Sequence, residues 1–183
     1  FDADGDYDLA QTSGDNASFN VLLGDGAGNI AAGQDVSTGQ YPGVPEVADF
    51  NHDGFADLIL SQLLDSQSSL FFGDGAADFS LQGSVSVALS STFPELGDIN
   101  GDGHIDIVYN STTEAILQAR LGNGAGLFAV SSDQVTDDIV SVHLLADFNG
   151  DGALDVLAMQ NDSAQIELLT GDNTGTFTSA ATY

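Results

Sequence analysis

The chain contains no cysteine, no tryptophan and no lysine, and Arg120 is its only permanent cation. Without cysteine it forms no disulfide, no thiolate zinc site and no cysteine nucleophile. Because secreted proteins often depend on disulfides, a fold outside the cell would need another kind of cross-link. No apolar run approaches the roughly 18 residues of a membrane-spanning helix. We therefore expect no insertion into a membrane.

The acidic residues are the most unusual part of the composition. The 28 aspartates and glutamates face a single arginine, which gives a formal net charge of -27. Such a chain repels nucleic acid and anionic membrane surfaces and attracts cations. It is not a disordered acidic tail, because 42% of its residues are hydrophobic and occur in short ordered runs. The composition predicts a folded, cation-binding protein with no nucleic-acid partner.

An acidic nonapeptide with the pattern Asp-x-Asn-x-Asp-Gly-x-x-Asp recurs without gaps. Its copies begin at Asp49, Asp98 and Asp147, which are 49 residues apart. The first eight residues of the chain match the pattern in register, with Asp2 in place of the Asn, and they lack its leading Asp. We therefore expect the chain to be a piece of a longer protein.

A second motif keeps the same period, which indicates a true repeat protein. Turn sequences such as Gly-Asp-Gly-Ala-Gly begin at Gly24, Gly73, Gly122 and Gly171, again 49 residues apart. Short β-like runs lie between the motifs, and no helical periodicity interrupts them. Glycine, asparagine and aspartate at the turns supply the positive φ angles that hairpins require.

Four short strands in a repeat of this length predict an all-β fold made of β-propeller blades. We expect a single repeat domain, residues 1–183, with four tandem four-stranded antiparallel repeats of 49 residues, of which the first and last are incomplete. The predicted blades are approximately 1–42, 43–91, 92–140 and 141–183. The array could close as a small propeller, remain an open arc, or complete a sheet with a strand from a neighbouring chain.

The acidic nonapeptide has the chemistry of a calcium site. Side-chain oxygens at positions 1, 3, 5 and 9 and the carbonyl at position 7 can converge on one cation, and the glycine at position 6 allows the sharp turn. Hard oxygen donors suit calcium rather than zinc or copper. An EF-hand would need an acid at position 12 and flanking helices, whereas position 12 is Leu60, Tyr109 or Ala158. A calcium-binding nonapeptide solenoid would need a much shorter period.

The two motifs resemble FG-GAP repeats, also called VCBS-type repeats, which form the propeller of integrin α chains and of many bacterial secreted proteins. The resemblance implies that each acidic loop joins the first two strands of a blade and binds Ca²⁺, although that family usually closes seven blades. It implies three complete sites, whose side-chain ligands are Asp49, Asn51, Asp53 and Asp57; Asp98, Asn100, Asp102 and Asp106; and Asp147, Asn149, Asp151 and Asp155. The carbonyl ligands would be those of Phe55, His104 and Ala153. A fourth site, truncated at the N-terminus, would use Asp2, Asp4, Asp8 and the carbonyl of Asp6.

The remaining polar residues do not indicate catalysis. His52, His104 and His143 stand in no recognisable catalytic order, and no Gly-x-Ser-x-Gly motif is present. We therefore expect no enzyme activity from this chain by itself. Arg120 is expected to pair with an acid in its own blade. Three Asn-x-Ser/Thr sequons are expected to share the turn after the second strand and to be candidate glycosylation sites, at Asn16, Asn110 and Asn161.

Together these features predict an extracellular, calcium-stabilised structural or adhesive module. Its expected partners are protein or glycan ligands at the cell surface, and its incomplete terminal blades would allow head-to-tail assembly into a larger surface structure or filament. One alternative is a glycan-binding propeller, in which exposed aromatics such as Tyr41, Phe93 or Tyr109 stack on sugars. Another is a non-catalytic accessory domain of a larger secreted hydrolase.

Overall fold

The fold is all-β, as predicted. The computed structural model describes residues 1–183 except 63, 88–90, 112, 137–139 and 161–162, and it describes only the backbone of 91–93, 135, 140, 142 and 143. Within this part of the chain, fifteen strands form four antiparallel sheets that follow one another in sequence. None of the described residues belongs to a helix long and apolar enough to cross a bilayer.

Neighbouring strands of each sheet are also neighbours in the chain. Sheet 1 contains β1 (Leu9–Ser13), β2 (Ser18–Gly24) and β3 (Ile30–Ser37). Sheet 2 contains β4 (Pro42–Ala48), β5 (Asp57–Gln62), β6 (Gln67–Gly73) and β7 (Phe79–Ser86). Sheet 3 contains β8 (Ser91–Gly97), β9 (Asp106–Ser111), β10 (Ile116–Gly122) and β11 (Phe128–Val135). Sheet 4 contains β12 (Val140–Ala146), β13 (Asp155–Gln160), β14 (Ile166–Gly171) and β15 (Phe177–Thr182).

The two sequence motifs occupy equivalent places in successive sheets. The acidic loop joins the first and second strands of sheets 2, 3 and 4, and the glycine-rich turn joins the last two strands of every sheet. Sheet 1 has three strands and no counterpart of β4. The prediction that the last repeat is incomplete is wrong, because sheet 4 has four strands. Its first strand precedes the acidic loop, so the four strands of this blade extend from Val140 to Thr182.

The hydrophobic core lies between the sheets in three separate clusters. Leu58 and Leu60 of β5 pack with Phe19 of sheet 1, whereas Ile59 between them packs with Tyr109 of sheet 3. The third cluster joins sheets 3 and 4 around Val108. Strands β5 and β9 are buried throughout because a neighbouring sheet covers each of their faces. Among the described elements, the extensive contacts between sheets join successive sheets, and none joins the first sheet to the last.

The single arginine lies between two blades. Its Nη1 is 2.7 Å from Asp133 Oδ1 on the adjacent strand β11, so the predicted ion pair within the blade is confirmed. Its Nε also donates to the carbonyl oxygen of Ser86 in sheet 2, at 2.9 Å. Arg120 therefore fastens sheet 3 to sheet 2, and its side chain is nearly fully buried.

Candidate metal centre

The four acidic loops share one backbone conformation. Their position 6 glycines have φ angles of 85–95°, in the left-handed region that side chains other than glycine rarely adopt; they are Gly5, Gly54, Gly103 and Gly152. Position 4 also has positive φ, between 60° and 79°, and is occupied by Ala3, His52, Gly101 and Gly150. The glycine at position 6 is thus required by the turn, as the pattern predicts.

Hydrogen bonds from the loop backbone hold the polar side chains of each loop. In the loop of sheet 3, Asp98 Oδ2 accepts from Gly103 N at 2.9 Å, and Asn100 Oδ1 accepts from Asp102 N at 2.9 Å. Asp102 Oδ1 accepts from His104 N at 2.9 Å. The same bonds form in the other complete loops, with Asp49, Asn51 and Asp53, and with Asp147, Asn149 and Asp151 as acceptors. In the truncated loop, Asp2 and Asp4 accept in the same way. These turns organise the loop locally.

The position 9 aspartates have a structural role that the pattern did not predict. Asp57, Asp106 and Asp155 are completely buried. Asp106 Oδ2 accepts from Ile99 N at 2.9 Å, and its Oδ1 accepts from Gly122 N at 2.7 Å. Asp57 and Asp155 make the equivalent pairs of bonds. Each carboxylate therefore ties its acidic loop to the glycine-rich turn of the same blade.

The truncated loop keeps this arrangement, because Asp8 Oδ1 accepts from Gly24 N at 2.9 Å and Oδ2 accepts from the position 2 nitrogen of Phe1. The sequence carries one signal of this contact, a constant spacing: Asp8 and Gly24, like Asp106 and Gly122, are 16 residues apart. This contact explains why the acidic loop and the glycine-rich turn keep a constant spacing in every repeat.

The first glycine of each turn is required by a close backbone approach. A Cβ atom added to Gly122 would clash with the carbonyl oxygen of Ile105, at position 8 of the acidic loop. The same clash occurs at Gly24, Gly73 and Gly171 with the position 8 residues Tyr7, Ala56 and Leu154. Because the obstructing atom belongs to the backbone, a side chain could be accepted only by moving the loop.

We expect Gly122→Ala to lower the free energy of unfolding by about 2–4 kcal/mol, since both strand ends must separate to admit the methyl group. Urea unfolding followed by circular dichroism measures the change. Gly83→Ala is the matched control, because an added Cβ at Gly83 meets no atom within 4 Å. Equal midpoints for the two variants would show that the close approach does not constrain the fold.

Burial raises the pKa of two of the position 9 carboxyls, Asp106 and Asp57. It raises the pKa of Asp106 to about 6, against the opposing effect of the hydrogen bonds from Gly122 and Ile99. The nearby charges of Asp102 and Asp98 act in the same direction as burial. Burial likewise raises the pKa of Asp57. The loop thus places a buried carboxylate beside further negative charge, an arrangement that a bound cation would stabilise.

The predicted ligands lie on one short loop but do not form a closed coordination sphere. Among the described residues, no three His, Asp or Glu side chains converge as a metal-binding group. Instead, Asn100 Nδ2 donates to Asp102 Oδ2 at 3.0 Å, and the other two complete loops have the same bond. The donor set still fits calcium, because the predicted ligand atoms are all hard oxygens, and Asp106, which accepts one N–H per carboxylate oxygen, retains further lone pairs.

The burial of individual side chains corrects two further predictions, which concern the glycosylation sequons and the sugar-stacking aromatics. Asn110 lies inside β9 and is only 2% exposed, so the prediction that this sequon occupies an accessible turn is wrong. Asn16 lies exposed in the turn between β1 and β2, and Asn161 is outside the described residues.

Tyr109 is completely buried and cannot stack on a sugar, whereas Tyr41 is exposed and the Phe93 side chain is outside the described part. His52 is exposed, His104 is partly exposed, and the side chain of His143 is not described.

Comparison with known proteins confirms the predicted resemblance. Residues 98–158, which include the acidic loops of sheets 3 and 4, match the profile of the FG-GAP-like repeat. A crystal structure of a protein from Lactobacillus plantarum superposes with a TM-score of 0.68 at 11% sequence identity, covering 96% of this chain and 53% of that chain. The chain therefore spans about half the length of that protein, and the likeness shows the fold alone. No curated protein matches the sequence.

Proposed function

We propose that this chain is an extracellular, calcium-stabilised β-propeller module with a structural or adhesive role and no catalysis of its own, which assembles head-to-tail through the outer faces of its terminal blades. The observation that carries the proposal is that sheet 4 exposes positions that are buried between blades elsewhere in the chain. Calcium is part of the proposal because each complete acidic loop offers oxygen donors that suit it. These loops lie at the same end of successive blades.

The outer face of sheet 4 has the character of a blade interface. At loop position 2, Phe50 and Ile99 are buried against the following sheet, with 3% and 2% exposure, whereas Phe148 is 43% exposed. Met159 and Ile166 are also exposed apolar residues of sheet 4. Met159 and Ile166 are cross-strand neighbours, and exposed apolar side chains of this kind favour a protein partner.

Sheet 1 presents the complementary face. Leu9 and Ile30 are exposed, whereas the equivalent residues of sheet 2, Leu58 and Phe79, are buried against sheet 1. Within the chain, the sheet face that carries Phe50 or Ile99 packs against the next sheet. The face of that next sheet is the one equivalent to the face of sheet 2 that carries Leu58 and Phe79. The outer face of sheet 4 is therefore complementary to a blade face of the sheet 1 type. In the proposed assembly a second copy of this chain supplies that face, and repetition of the contact produces rings or filaments.

Light scattering of the full chain in millimolar calcium and in excess chelator tests this assembly. We expect a mass that increases with protein concentration in calcium and decreases in chelator. Ile166→Asp, on the outer face of sheet 4, is expected to abolish association. Leu127→Asp, at an exposed residue of the glycine-rich turn in sheet 3, adds the same charge and should preserve it. A monodisperse monomer in calcium at every concentration would contradict the proposed assembly.

A further inference from the structure

Two histidines from neighbouring acidic loops meet across the junction of sheets 2 and 3. His52 occupies position 4 of its loop and His104 occupies position 7 of the next. His52 Nε2 and His104 Nδ1 are 2.9 Å apart, and the ring centroids are separated by 5.1 Å. The calcium scheme uses neither ring, because it requires only the backbone carbonyl of His104.

The backbone at His52 is strained. Its φ angle is 60°, in the left-handed region where the equivalent loop residues of sheets 3 and 4 are Gly101 and Gly150. Left-handed φ costs a residue with a side chain about 1 kcal/mol or more. Ala3 is the other exception, but its side chain is a single methyl group. The loop thus holds a large polar ring at a position that favours glycine.

The glycine-rich turn of sheet 3 makes room for both rings. A Cβ atom added to Gly124 would lie 2.5 Å from His104 Nδ1 and 2.9 Å from His52 Cδ2. In sheet 4 the equivalent residue is Asn173, and position 7 of that loop is the small Ala153. The two imidazoles therefore lie on a surface that fits them, beside the exposed ends of two acidic loops.

We propose that His52 and His104 form a binding site for a divalent transition-metal ion, distinct from the calcium loops and bridging two blades. Imidazole nitrogen suits Cu²⁺, Ni²⁺ and Zn²⁺, whereas calcium takes oxygen ligands. For metal–nitrogen bonds of about 2.0–2.1 Å, two nitrogens at a right angle around one ion are separated by about 2.9 Å. This separation matches the tetragonal geometry of Cu²⁺ or Ni²⁺ better than a tetrahedral zinc site.

Binding requires two local changes. Each nitrogen must direct its lone pair about 45° away from the line that joins the two atoms, which the partly exposed rings can do by side-chain rotation. The ring that donates its N–H in the hydrogen bond must carry that proton on its other nitrogen instead, so both imidazoles remain neutral. Water completes the coordination, and the acidic surroundings attract the cation.

The test is a titration of the full chain with Cu²⁺ alone in saturating calcium, by calorimetry and electron paramagnetic resonance. We expect one ion per chain with nitrogen couplings from two imidazoles. His52→Gly, which restores the residue found in sheets 3 and 4, and His104→Phe, which copies Phe55, should each lower the affinity at least tenfold. Circular dichroism verifies that both variants fold.

His143→Gln, at the third histidine, is the matched control and should bind Cu²⁺ like the unaltered chain. The inference is overturned if the two test variants retain the affinity of the unaltered chain. It is equally overturned if the spectrum shows oxygen ligands only, since the ion would then lie in the acidic loops. Absence of binding in saturating calcium also overturns it.

Discussion

Removal of calcium is expected to lower the free energy of unfolding of this chain by roughly 8 kcal/mol, which is enough to unfold it or leave it marginally stable. A ligand at 100 times its dissociation constant adds about 2.7 kcal/mol per site to the folded state, and three acidic loops are complete. Ordinary domains have a total stability of about 5–15 kcal/mol. The reason is electrostatic, because each loop holds several carboxylates in a chain of net charge -27. Thermal unfolding by circular dichroism, in calcium and in chelator, measures the effect.

A matched pair of variants separates calcium binding from a simple change of charge. Asp98→Asn removes a carboxylate from position 1 of an acidic loop. Asp74→Asn removes one from the glycine-rich turn of sheet 2. In sheet 3 the equivalent residue is already an asparagine, and Asn123 Oδ1 accepts the same turn hydrogen bond from Ala125 N at 2.9 Å. Only Asp98→Asn should reduce the stabilisation by calcium. If chelator leaves the melting temperature unchanged, or if both variants respond equally, the acidic loops are not calcium sites.

Asp106→Ala is expected to lower the free energy of unfolding by about 3–5 kcal/mol, and most of this loss should persist in chelator. The carboxylate accepts hydrogen bonds from Ile99 N and Gly122 N, and bonds to a charged group contribute about 1.5–3 kcal/mol each. The substitution leaves both buried donors without this acceptor. Urea unfolding in chelator, with trimethylamine N-oxide added to keep the calcium-free chain folded, distinguishes this role from metal binding, because Asp98→Asn should have little effect under the same conditions.

The dependence of stability on pH gives a second readout for the same residue. The pKa of Asp106 is about 6 in the folded chain and 3.8 when unperturbed, so between these values the folded state binds the proton more tightly. The contribution of this group to stability therefore falls as the pH rises from about 4 to 6. In chelator with the same osmolyte, Asp106→Ala should lose less stability between pH 5 and pH 7 than the unaltered chain. An identical loss in both proteins would contradict the raised pKa.

The strands and turns were predictable from sequence because local chemistry determines them. Strands β5, β9 and β13 begin at the last aspartate of each acidic nonapeptide, and the turn glycines have the φ angles that the motifs require. The role of Asp106 was only half predictable. Its type and spacing suggest a metal ligand, whereas the hydrogen bonds that it accepts from Ile99 N and Gly122 N depend on two different loops meeting at one end of the blade.

By itself, the sequence determined the repeat, the all-β class and the oxygen-rich loops, since each depends on residues close together in the chain. Tertiary structure decided which side chains of a strand are covered. Asn110 and Tyr109 are buried because sheets on both sides enclose β9. It also decided that His52 meets His104, although 52 residues separate them in the sequence. That contact depends on how one blade packs on the next, and no local pattern encodes the packing.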